Sequence, residues 1–107
     1  MRNIGGMMKR VQEMQEKMQA ISSEMEASRF DCSVGGGAVK ATVSGKGELI
    51  DLKISSQAVS TDDTETLADL VKLAVNNARA EAEARKAEAV RELTGGLPLP
   101  PGLSLPF

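Results

Sequence analysis

The chain has 107 residues, a net charge of −2 and a pI near 5.2, so it holds one modest core and does not attract nucleic acid by overall charge. Histidine, tryptophan and tyrosine are absent, and the aromatics are Phe30 and Phe107 alone. This excludes His triads, His metal sites, imidazole acid–base chemistry and the aromatic platforms on which single strands stack. The single cysteine can build neither an internal disulfide nor a zinc site, which fits a reducing cytosol. No signal peptide is legible, and no apolar run approaches the roughly 20 residues of a membrane span. The plain reading is a soluble, cytoplasmic protein.

Residues 4–25 carry Ile4, Met7, Val11, Met14, Met18, Ile21 and Met25 at spacings that alternate three and four. That is an a/d heptad seam, the mark of a helix that lies along another helix. The seam from Met7 to Met25 is the expected dimer contact. A helix of this length, roughly 30–35 Å, is long for so small a domain. Gly5 and Gly6 each cost roughly 1 kcal/mol against alanine, so firm helix is expected from Met7, with a frayed first turn. It should end near Ser28.

From Phe30 to Ile54 the period is two. Phe30, Cys32 and Val34, then Val39, Ala41 and Val43, then Ile50, Leu52 and Ile54 alternate with polar residues. These read as three half-buried strands, joined as antiparallel hairpins by Gly35-Gly36-Gly37 and by Gly45-Lys46-Gly47. One apolar face lets a single layer of helix cover the sheet. The parity of Cys32 makes it a core residue. The triple glycine is a hairpin turn and no phosphate cradle, since no helix start comes after it.

Asp62 with Glu65 three residues on reads as the N-cap of a second helix. A cap accounts for Asp62 and Asp63 without a catalytic or metal role. The helix runs to about Leu93. Its first half buries Leu67, Leu70, Val71, Ala74, Val75 and Ala78. Its second half, Arg79–Arg91, is alanine and charge, and reads as an arm that buries little. Gly95-Gly96 ends it, which gives one domain over 1–94. A Pro-rich tail occupies 95–107 and is expected to strap onto or near the dimer. Its Pro98–Pro101 spacing also matches a docking peptide, a weak pattern.

Residues 1–17 hold four basic and two acidic side chains. Lys9, Arg10 and Lys17 can be a phosphate-contacting strip, or a solvated face with Glu13 and Lys17 paired. Arg79, Arg85, Lys86 and Arg91 are balanced by Glu81, Glu83, Glu88 and Glu92, and on charge alone read as a solvated helix.

The first helix with MMKRVQEMQEKMQ, the hairpin region AVKATVSGKGELIDLKI, the segment LADLVKLAVNNARAEA and the closing LPPGLSLPF occur in the order found in one family. The chain resembles the YbaB/EbfC nucleoid-associated proteins over nearly its whole length. The resemblance implies an α+β fold, an α-β-β-β-α protomer with a three-stranded antiparallel sheet, in a tweezer-shaped homodimer with protruding helices. It also implies binding to duplex DNA, with effects on nucleoid organisation and gene expression, and carries no catalytic motif, cofactor, metal or small-molecule substrate. Contact in the family is attributed to the helical arms, which here present Lys9, Arg10, Lys17, Arg79, Arg85, Lys86 and Arg91. The choice of those residues rests on local charge. A cytosolic adaptor or chaperone-like scaffold that grips helices with its Met seam is the alternative.

Overall fold

A computed structural model describes residues 4–59 and 63–96. The order is helix α1 (Ile4–Ala27), strands β1 (Arg29–Val34), β2 (Val39–Ser44) and β3 (Leu49–Ile54), a 3-10 turn at Ser56–Ala58, and helix α2 (Thr64–Thr94). The α-β-β-β-α expectation holds. Helix α1 is continuous from Ile4, so the first turn is helical despite Gly5 and Gly6. Extending an existing helix needs only one hydrogen bond per residue fixed, which offsets the glycine cost.

The sheet is antiparallel in the order β1-β2-β3. The β1–β2 turn sets Gly35, Gly36 and Gly37 at φ of 64°, 67° and 93°, a left-handed run that side chains rarely adopt. Register stacks Val34, Val39 and Ile54 in one row and Cys32, Ala41 and Leu52 in the next. At the third row Val43 lies opposite Phe30 and Leu49, because the β2–β3 register shifts between Thr42 and Val43. Ile50 is thus the extra residue of a bulge, and Leu49 takes the place expected for it.

Helix α2 packs on β1 and β2. Val39, Ala41 and Ala74 form one buried cluster, flanked by Leu67, Leu70, Val71 and Val75. Val43, Ala78 and Ala82 form a second, against Phe30 and Cys32. The core position expected for Cys32 is half-buried. The single helical layer does not reach β3, where Leu49, Ile50, Leu52 and Ile54 remain 36–45% exposed. A helix about 10 Å wide spans about two strands at 4.8 Å spacing, so the third strand lies beyond it.

The N-cap of α2 is Asp63, one residue later than expected, and Asp62 lies outside the described residues. Asp63 accepts from the Thr66 amide at 3.2 Å and from the Thr66 hydroxyl at 2.7 Å. Those two bonds hold its carboxyl below the usual carboxylate range, the hydroxyl contributing most. At the far end Gly95 is left-handed and closes on the Arg91 carbonyl, as the two glycines lead one to expect.

Beyond the sheet α2 is in contact with α1, and Arg85 bonds Glu24. The Cα radius of gyration is 19.5 Å, against about 13 Å for a compact chain of this length. The arm is less bare than its composition suggests, since Ala82 and Ala89, one heptad apart, are both buried. Small side chains let neighbouring backbone approach closely, so a stripe without large residues still packs.

Candidate nucleic-acid interface

The heptad seam divides in two. Met18 and Met25 are buried within the protomer with Ser22, and Met14 and Ile21 are half-buried. Met7 and Val11 lie open at the outer end of the same stripe. The change falls where α2 runs out alongside α1.

Lys9, Arg10 and Lys17 are all exposed on α1. At about 100° per residue they span roughly 100° of the helix, with Arg10 and Lys17 on the flank of the Met stripe, Lys9 on the face behind it, and Lys17 about 12 Å further along the axis than Lys9. Among the described residues no salt bridge within 4.0 Å engages any of the three. The Glu13–Lys17 pair that would mark a self-neutralised face does not form in the described geometry.

The α2 cations stand differently. Arg85 donates from Nη2 to Glu24 Oε1 on α1 at 2.8 Å, which raises its affinity for the proton. Lys86 pairs with Glu83 at 3.2 Å within its own helix. Arg79 donates through Nε to the Gly47 carbonyl at 3.1 Å, tying α2 to the β2–β3 turn. Arg91, in the last turn of α2, is exposed. Three of the four are therefore engaged in holding the protomer together or in local pairs. The partner Glu24 is 61 residues from Arg85, a separation no local pattern reveals.

The polar face of the sheet carries Lys40–Asp31 at 3.6 Å and Lys53–Asp51 at 4.0 Å, balanced pairs of low net charge. Among the described residues no group of three or more His, Cys, Asp or Glu could hold a metal ion. No described helix is long and apolar enough to cross a membrane.

A model of the YbaB/EbfC DNA-binding family matches residues 1–97. A nucleoid-associated protein of Gluconobacter oxydans is 47% identical over 107 residues, covering 100% of both chains. Nucleoid-associated proteins of Rhizobium meliloti and Brucella ovis show the same 47% identity over 100% of each chain. Among solved structures, an uncharacterized protein from Helicobacter pylori matches with a TM-score of 0.78 and 19% identity, covering 89% of this chain and 100% of that one. At that identity the likeness concerns the fold alone.

Proposed function

Because the chain belongs to the YbaB/EbfC DNA-binding family, we propose that it is a nucleoid-associated protein that binds duplex DNA as a homodimer, chiefly through phosphate contacts from its helical arms. The family is one of DNA-binding proteins and not of enzymes. In this reading the protein works in the cytoplasm on the nucleoid, organises it and so affects gene expression.

The observation that carries the phosphate reading is the strip Lys9, Arg10 and Lys17, three exposed cations on one side of α1 with no salt bridge among the described residues. Its span of about 12 Å matches three to four base-pair steps at about 3.4 Å each. Cations that need not first give up an internal partner gain most from neutralising phosphate, because the counterions they release come from the DNA. Arg91 can add to the strip, whereas Arg79, Arg85 and Lys86 would have to break existing bonds.

The homodimer reading is supported by β3. Leu49, Leu52 and Ile54 share the α2-side face of the sheet without a helix above them. Among the described residues β3 is also an edge strand, with one side of its backbone outside the ladder. A second protomer laid on the same face would cover both patches by one two-fold operation. The dimer carries twice −2, or −4, so overall charge opposes approach and affinity rests on the two local strips.

The test is a titration of duplexes of unrelated sequence at roughly 50 mM and 200 mM salt. Phosphate contact predicts similar affinity for each duplex and a steep loss at the higher salt. Binding that persists or strengthens with salt would instead indicate an apolar grip, the behaviour of a protein-binding scaffold.

A further inference from the structure

We propose that the apolar trough on the outer half of α1 is the seat of the chain's own C-terminal segment, residues 97–107. The trough is an open apolar face that presents Met7, Met8, Val11, Gln12 and Gln15 to about 590 Å³ of space. Met7, Met8 and Val11 are 63%, 68% and 53% exposed, the largest apolar exposures among the described side chains of α1. Met7 and Val11 continue the stripe that is buried further down as Met18 and Met25, and Met8 lies beside it.

The stripe opens where α2 ends. Glu24 and Arg85 are level, since their side chains bond at 2.8 Å. Thr94 is about 13.5 Å beyond Arg85 at 1.5 Å per residue, which is the level of Gln15 counted back from Glu24. Gly95 then turns left-handed at φ 66°, and the Gly96 amide bonds the Arg91 carbonyl at 3.0 Å. The chain is thus turned off the α2 axis about level with Gln15, a residue that lines the trough.

Gly96 leads into LPLPPGLSLPF, which lies outside the described residues and holds Leu97, Leu99, Leu103, Leu105 and Phe107. Extended at about 3.1 Å per residue it reaches roughly 34 Å. The part of α1 beyond Gln15 is only about 16 Å long. The chemistry also matches. Among the described residues the trough lining bears no charged side chain, and neither does the segment. Four prolines remove amide donors from the segment but leave every carbonyl an acceptor. Gln12 and Gln15 supply side-chain amides that can donate to those carbonyls. Methionines adapt to an irregular ligand such as a proline-bearing chain. A segment tethered about level with Gln15 acts at an effective concentration near the millimolar range, which favours it over a second copy.

The test uses the whole chain with Leu99→Ser, Leu103→Ser, Leu105→Ser and Phe107→Ser together, beside the unaltered chain. Each is exposed to hydrogen peroxide, and methionine sulfoxide is monitored residue by residue by mass spectrometry. The expected result is several-fold faster oxidation of Met7 and Met8 in the variant, with buried Met25 slow in both. Equal Met7 and Met8 rates overturn the proposal. A second variant decides whose segment is seated. In a Cys32→Ala background, Met8→Cys and Leu103→Cys are joined by a bis-maleimide. A linked product with the mass of one chain is expected. A product with the mass of two chains, or none, overturns the assignment to the chain's own segment.

Discussion

The Gly45 amide donates to the Met25 carbonyl at 2.8 Å, and a Cβ on Gly45 would stand 2.6 Å from that same oxygen. Here the end of α1 is docked on the β2–β3 turn, with Met25 fully buried. The hydrogen bond requires the very approach that a side chain would forbid, and the Met25 Cα and Sδ at 2.8 and 2.9 Å close the remaining space. Gly45 is needed for proximity and not for a left-handed φ, since it is absent from the positive-φ glycines.

Gly45→Ala should therefore destabilise the fold by about 3 kcal/mol, the upper end of the overpacking range, because the obstacle is mostly backbone. Thermal unfolding measures this directly, and Gly36→Ala, with open space around its Cβ, separates crowding from turn strain. A melting temperature unchanged in Gly45→Ala would mean that α1 does not dock on the turn as described.

The α2 cap predicts a pH dependence. Asp63 is held below its ordinary value of 3.8 by the Thr66 hydroxyl and amide. A depressed carboxyl stabilises the fold above its unfolded pKa and loses that contribution as pH falls through the lower folded value. Stability of the parent should thus decline through the window from about pH 4 downward more than that of Asp63→Asn, which keeps a capping oxygen without the charge. Parallel stability curves for the two proteins below pH 4 would refute a charged cap.

How far the sequence reveals such features varies along the chain. Val39, Ala41 and Val43 alternate and are all fully buried, because β2 is central and α2 lies over it. The same alternation in β3 leads to exposure, since pattern reports the face of a strand but not whether a helix is wide enough to cover it. Ile50 drops out of register through a bulge that no local residue announces. The spacing to Glu65 points to Asp62 as the cap, and only the Thr66 geometry moves it to Asp63. The buried Ala89 escaped because alanine stripes carry little hydropathy, although the seven-residue step from Ala82 was there to be counted. For the candidate site, the cations themselves are plain in the sequence. Their pairing is not, as Glu24 and Arg85 meet only through the tertiary fold.

That pairing makes a contrast between arms. Arg85→Gln removes a cation already bound to Glu24, so it should change the salt dependence of DNA binding by less than Lys17→Gln, which removes an unpaired one. Protein stability should barely change in Arg85→Gln, as expected of an exposed pair. A larger salt effect from Arg85→Gln than from Lys17→Gln would show that Arg85 leaves Glu24 for phosphate.

The proposed dimer face is open to a single substitution. Leu52→Glu sets a carboxylate in the middle of the uncovered β3 patch, where the side chain is 36% exposed in the protomer. Sedimentation should then show folded monomer at concentrations where the parent is dimeric, with helical content retained. A Leu52→Glu protein that stays fully dimeric would move the interface elsewhere.

The measurement closest to the central claim is the salt dependence of duplex binding by Lys9→Gln, Arg10→Gln and Lys17→Gln combined. Glutamine is a good helix former, so α1 and its Met stripe stay in place. If the strip meets phosphates, affinity falls for every duplex alike. The slope of log affinity against log salt then flattens by up to about 0.9 per lost contact, nearly three units for each strip engaged. If the triple variant remains a dimer and binds as tightly as the parent with the same salt slope, α1 is not the DNA-contacting surface.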